Sequence, residues 1–189
     1  MSLGRAVVLI DNGYISAILR DEYSSTRIDY LKLSELICKG YQRLRTYVYD
    51  CMPYKSDPPT QIQQDLFSGK QRFFDALRKL PAFELRFGKQ RPRGHSFVQK
   101  GVDVWLSVDM VRLSAKGQVQ KIFLIAGDAD YVPAVQTAKN EGVSVKLIHS
   151  GNFADLPNGK KVPKFSNELW QMCDERQPIS HQLIDQWAF

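Results

Sequence analysis

Residues 121–131 read Lys-Ile-Phe-Leu-Ile-Ala-Gly-Asp-Ala-Asp-Tyr: a short, unbroken apolar run that ends in a glycine and two aspartates. A run of this length suits a strand, and its lack of polar alternation predicts a strand covered on both faces. The same arrangement stands near the start of the chain, where Ala6-Val7-Val8-Leu9-Ile10 leads into Asp11-Asn12-Gly13. Further β-branched runs lie at 46–49, 83–87 and 143–148, and helix-patterned segments at 15–22, 30–42, 62–80, 102–115 and 131–141 separate them. In 62–80, Ile62, Leu66, Phe73, Phe74, Leu77 and Leu80 fall mostly at three- and four-residue spacings, and Val102, Leu106, Met110 and Leu113 do the same in the next helix. Gly142 follows the last of these segments, where a helix stop belongs. Strand–helix alternation of this kind predicts right-handed crossovers and a Rossmann-like three-layer α/β sandwich, with a mainly parallel central sheet of five or six strands.

Past Ser150 the character changes. Gly151, Pro157, Asn158, Gly159 and Pro163 punctuate a loop that Lys160, Lys161 and Lys164 make basic. A helix is expected over 165–175, and the residues from Pro178 onward read as a short amphipathic extension. Its Leu183, Ile184 and Trp187 could dock on the core or on a partner, a second copy of the chain included. The expected organisation is one domain over 5–175 with an extension over 176–189. The 189 residues, 43% hydrophobic and 24% charged, match a globular domain with a proper core. No apolar run approaches the roughly 20 residues that span a bilayer, which argues against a membrane protein. The run at 6–10 is also too short for a signal-peptide core. Cys38, Cys51 and Cys173 are an odd number, without a CxxC or a nearby histidine. That pattern predicts buried thiols in a reducing cytoplasm rather than disulfides or zinc.

Ligands of open parallel sheets bind outside the carboxyl ends of the strands. At that edge the first strand delivers Asp11, and the strand at 121–126 delivers Asp128 and Asp130. The helix that begins after Lys100-Gly101-Val102 carries Asp103 in its first turn. Two carboxylates about 5 Å apart repel by roughly 3 kcal/mol at an effective dielectric near 20. A cluster therefore needs a proton or a cation, and all-oxygen ligation selects a hard ion such as Mg²⁺ or Mn²⁺. Each aspartate also has a plainer reading. Asp11 could cap a helix, Asp103 could complement a helix dipole, and Asp128 or Asp130 could cap the helix near Tyr131. Asp109, about 600° round the helix from Asp103, faces elsewhere and reads as structural. Asp50 reads as a surface carboxylate, and His149 as structural.

Other uses of such a fold fail on spacing. The first strand is not followed by GxGxxG, and the chain has no GxxxxGK[ST] and no GxSxG. An aspartyl-nucleophile phosphatase would want a second Asp where Gly13 stands, and a receiver domain would want one near Gly88. The formal charge is +6, from 26 Lys+Arg and 20 Asp+Glu. Much of the excess sits in 86–100, where Arg86, Lys89, Arg91, Arg93, Lys100 and His95 meet no Asp or Glu. That segment is either a solvated loop or a strip that contacts phosphates.

Val8-Leu9-Ile10-Asp11-Asn12, Lys100-Gly101-Val102-Asp103-Val104 with Leu106 and Asp109, and Ala126-Gly127-Asp128-Ala129-Asp130-Tyr131 with Pro133 and Val135 resemble the three signature segments of NYN domains, most closely the LabA-like branch of the PIN-like nuclease superfamily. The resemblance spans roughly 5–175. It implies a PIN-like fold and metal-dependent endonucleolytic cleavage, usually of RNA. On that pattern Asp11, Asp103 and Asp128 hold Mg²⁺ or Mn²⁺, and Asp130 is a fourth or outer carboxylate. Asn12 orients a carboxylate or water, and Lys100 pairs with Asp103 or with a substrate phosphate. Arg91 and Arg93 would lie on the phosphate track, and Phe87, Phe97 or Tyr14 could stack bases. The chain departs from the pattern at Tyr14, where many members have Asn, and at Ala126, where a hydroxyl residue is usual. Two further readings use the same cleft: an RNA-binding or regulatory module without turnover, and a metal-dependent phosphatase or nucleotide hydrolase.

Overall fold

Strand β1 (Arg5–Asp11) lies in the middle of the sheet, and its register explains both layers of the core. Val7 and Leu9 enter one buried cluster, while Ala6, Val8 and Ile10 enter the other. This is the two-residue period of a strand with helices on both faces. The computed structural model describes residues 3–93, 96–155 and 161–189, and their side chains except at 90–93, 96–100, 153–155 and 161–163.

Along the chain, β1 is followed by α1 (Asn12–Glu22), α2 (Tyr30–Ile37), β2 (Gln42–Cys51), α3 (Gln61–Arg78) and the hairpin of β3 (Phe83–Arg93) with β4 (Ser96–Lys100). Then come α4 (Val102–Ala115), β5 (Lys121–Ile125), a 3-10 turn (Ala129–Tyr131), α5 (Val132–Asn140) and β6 (Ser144–Ser150). A small hairpin of β7 (Phe153–Asp155) and β8 (Lys161–Pro163), α6 (Asn167–Met172), β9 (Glu175–Ile179) and α7 (His181–Trp187) complete the fold. Six strands pair in parallel in the order β3-β2-β1-β5-β6-β9, and β4 adds antiparallel to the outer edge of β3. Residues of α1, α2, α3 and α7 share the Val8 cluster, and those of α4, α5 and α6 share the Val7 cluster. This is the three-layer α/β sandwich expected from the sequence, with the upper of the two strand counts.

Two regions differ from the sequence reading. The basic segment 86–100 forms most of a β-hairpin, so β3 runs on to Arg93 past the apolar stretch that marked it. The helix expected over 165–175 is shorter, because Ser166 caps it and Glu175–Ile179 joins the sheet beside β6. The segment read as an extension therefore supplies an edge strand and a helix. Trp187 is fully buried, its carbonyl accepts the Asp29 N–H at 2.7 Å, and Lys32 Nζ donates to the Ala188 carbonyl at 2.6 Å. Among the described residues no helix is long and apolar enough to cross a membrane.

Candidate active site at the carboxyl edge of the sheet

The order in which strands are added reverses between β1 and β5, since β1 connects outward to β2 on one side while β5 leads to β6 on the other. Crevices at such switch points are where parallel sheets hold ligands. Here the crevice is a cavity of about 540 Å³ with Asp11, Asp103 and Asp128 on its wall beside Tyr14, Lys164 and Phe165.

Asp11 ends β1 and caps α1: its Oδ1 accepts the Tyr14 N–H at 3.1 Å, and its Oδ2 accepts the Tyr131 hydroxyl at 2.9 Å. Asp103 is carried in by α4, whose cap Gly101 has φ +88°, a left-handed turn that glycine makes without strain. Its Oδ1 also accepts from the Tyr131 hydroxyl, at 3.0 Å. Asp128 caps the 3-10 turn through Oδ1, which accepts the Asp130 N–H at 3.0 Å. Asp11 and Asp128 are thus helix caps, as the plainer reading expects, and both also line the cavity.

Tyr131 is the residue that sequence reasoning missed. A phenol carries one proton, so a single hydroxyl stands between two carboxylates that both need a donor. Its neighbours show the strain of that arrangement. Burial above all, then the charge of Asp103 and Asp50, holds the Asp11 carboxyl above its ordinary range, against the pull of the Tyr14 and Tyr131 donors. Burial and the charges of Asp11 and Asp103 push the Tyr131 hydroxyl far up, so it stays a donor. The signal was present as the last residue of Gly-Asp-Ala-Asp-Tyr, but its role depends on where the 3-10 turn points it.

The remaining walls are fitted closely. A Cβ on Gly127 would lie 2.3 Å from the Tyr14 ring, so only glycine leaves room for that ring. The Tyr14 hydroxyl accepts the Ser150 N–H at 2.9 Å, and burial pushes its pKa up to about 12. Lys164 reaches the cavity while paired at 3.2 Å with Glu22, which is almost wholly buried and also accepts from Ser150 Oγ and Asn152 Nδ2.

Asp130 is exposed and does not line the cavity; its backbone supports Asp128. Asn12 turns to the opposite side, where its amide donates to Asp50 Oδ2 and its Oδ1 accepts the Tyr30 hydroxyl. The carboxylate that Asn12 orients is that of Asp50. Asp50 is not the surface group expected: it is buried and paired with Lys70 Nζ at 2.6 Å, a partner twenty residues away on α3. Asp109 is structural as read, buried among the Tyr49 hydroxyl, Arg86 and Arg112. His149 is buried too, with Nδ1 against the Ser150 carbonyl at 2.7 Å and its ring 4.3 Å from that of Phe165. Phe87 is half-buried and packs edge-on against Phe74 with centroids 4.8 Å apart. The side chains of Arg91, Arg93, Phe97 and Lys100 lie outside the described residues.

Compared with known proteins, the chain matches the family model of the NYN domain over residues 5–177. An uncharacterized protein of Sinorhizobium fredii, y4oD, is 33% identical over 115 residues, 60% of this chain and 52% of that protein. The chain thus spans about half the length of this curated relative. The crystal structure of VPA0982, a Vibrio parahaemolyticus protein of unknown function, superposes with a TM-score of 0.67 at 16% identity, covering 98% of this chain and 96% of that one. That likeness concerns the fold.

Proposed function

The chain belongs to the NYN domain family, whose members are generally nucleases, and on that premise we propose that it is a metal-dependent endonuclease that hydrolyses RNA at the Asp11–Asp103–Asp128 cleft. One observation carries the reading. Three carboxylates from three separate segments converge on the switch-point crevice, and two of them share a single hydroxyl proton.

The donor set suits a hard cation, since every side-chain ligand on offer is a carboxylate oxygen. Among the described residues no three Asp, Glu, His or Cys side chains form a ready cage for an ion. Mg²⁺ seldom uses such a cage, and one or two carboxylates with water and substrate phosphate complete its shell. Asp11 and Asp103 are the pair that fits this description. When bound, Mg²⁺ or Mn²⁺ supplies Lewis-acid polarisation of the phosphodiester and lowers the pKa of a water. The protein does the rest. Tyr131 keeps the Asp11 and Asp103 oxygens aimed at one point, Asp128 presents its second oxygen to the cleft to orient an attacking water, and Lys164 offers a positive charge to a phosphate. Lys100, Arg91 and Arg93, at the hairpin next to Asp103 in the sequence, would extend the phosphate track.

The test is incubation of the purified protein with single-stranded and structured RNA in Mn²⁺, Mg²⁺ or EDTA, beside an Asp128→Asn control. Cleavage that needs the metal and disappears in the variant is the expected result. RNA retained on a filter without products under any ion would replace the nuclease with a binding module. Hydrolysis of mononucleotides in preference to polynucleotides would replace it with a phosphatase.

A further inference from the structure

The larger cavity of the molecule is not the acidic one. It is a groove of about 980 Å³ between α3 and the α1–α2 corner, at the upper end of the range for small-ligand sites. Its walls are mainly apolar: Leu66, Phe73 and Leu77 of α3, with Leu80 just past its end, face Leu19 and Ile28. Its floor is polar and tied down by a hydrogen-bonded chain in which buried Tyr30, Asn12 and Asp50 lead to half-buried Lys70. One turn of α1 separates the two cavities. Asp11, Gly13 and Tyr14 line the acidic cleft, while Asn12 and Ser16 line the groove. A path from one to the other is on the order of one helix diameter, about 10 Å.

Two features of the groove point to a ligand. Gly69 sits in the middle of α3, where glycine is the least favourable residue after proline. Packing does not require it, because a Cβ there would meet nothing within 4 Å. The missing side chain leaves the groove open. The second feature is the interleaving of cations with rings and apolar faces. Lys70 Nζ lies 5.5 Å from the Phe73 ring centroid, and the Arg27 guanidinium lies 6.0 Å from that of Phe189. Arg72 has no ion pair among the described residues. The neighbouring acids are engaged: Asp29 caps α2, and Asp65 accepts from Gln61. Apolar faces flanked by cations are how proteins hold unstacked bases beside a tracked backbone.

We propose that this groove receives unpaired bases of a single-stranded RNA whose neighbouring phosphodiester lies in the acidic cleft, a proposal that rests on the nuclease reading above. Bases stacked within a duplex cannot enter it, so the groove selects single strands.

The experiment is fluorescence anisotropy in EDTA, which keeps binding apart from turnover, with a labelled 12-nucleotide single-stranded RNA and a blunt duplex of the same length. Gly69→Trp fills the groove and should weaken single-strand binding about 10-fold or more, the loss typical of one stacked base. Arg72→Ala should weaken it about 3-fold, and neither change should alter duplex binding. Gly69→Ala should melt no lower than the natural chain, which checks that α3 tolerates a side chain at that position. If Gly69→Trp and Arg72→Ala both bind the single strand as the natural chain does, the groove proposal is overturned, while Asp128-dependent cleavage would leave the nuclease intact. If binding depends on the groove but no RNA is ever cut, the nuclease reading is overturned and the groove stands. No RNA binding by the natural chain overturns both.

Discussion

At Tyr131 a single hydroxyl lies 2.9 Å from one carboxylate oxygen and 3.0 Å from another, which brings the Asp11 and Asp103 oxygens within about 6 Å of each other. Such a pair repels by a few kcal/mol at an effective dielectric near 20, and the shared donor offsets part of it. Tyr131→Phe keeps the buried ring and removes the donor. Without divalent ions the variant should lose about 1–3 kcal/mol, the usual result of leaving a charged acceptor without its partner. Added Mg²⁺ or Mn²⁺ should then raise its melting temperature more than that of the natural chain, because the cation takes over a repulsion no proton now relieves. Melting curves with and without metal check this, and equal metal-induced shifts in both proteins would show that Tyr131 does not hold the pair.

Among the elements, those buried on both faces were legible and those at the edges were not. β1 and β5 show as unbroken apolar runs because neither face meets water, and α4 shows because Val102, Leu106, Met110 and Leu113 keep one face inward. β9 reads Glu-Arg-Gln-Pro-Ile, with only Ile179 buried, so nothing in its pattern announces a strand. What holds it is partly a contact that no local pattern encodes: Lys121, buried at the start of β5, donates to Glu175 and to Ser144 Oγ. The same limit hid Asp50, whose burial depends on Lys70, and the role of Tyr131, which depends on two carboxylates 120 and 28 residues away. The Lys121–Glu175 pair is asymmetric, with side-chain exposures of 3% and 54%. Removing Glu175 strands a buried ammonium, whereas removing Lys121 leaves a carboxylate that water can reach. Glu175→Ala should therefore destabilise the protein by about 2 kcal/mol or more, and Lys121→Met by under about 1 kcal/mol. Urea unfolding decides it, and equal losses would mean that the two partners share their burial.

Across the whole molecule the two ends of the sheet are built for different ends. The amino edge carries the Lys121–Glu175 latch, while the carboxyl edge gathers Asp11, Asp103, Asp128, Glu22 and His149 in and around the cleft. Sites that concentrate charge in this way lower stability in return for function, and the effect should appear in the response to pH. Two groups act with opposite signs. Burial lowers the His149 pKa, so between its folded and ordinary values the unfolded chain binds more protons and stability falls as pH drops below about 6.5. Burial raises the Asp11 pKa, so the folded chain binds its proton more tightly and stability is regained as pH falls through the folded value. Asp11→Asn keeps a good helix cap and removes the buried charge. It should stabilise the protein at pH 7 by about 0.5–2 kcal/mol, roughly 1–8 °C in melting temperature, and steepen the loss on acidification. His149→Gln should flatten that loss between pH 6.5 and 5. Urea unfolding of the three proteins from pH 4.5 to 7.5 measures both slopes, and an Asp11→Asn protein less stable than the natural chain at pH 7 would mean that the carboxylate holds the cleft together rather than straining it.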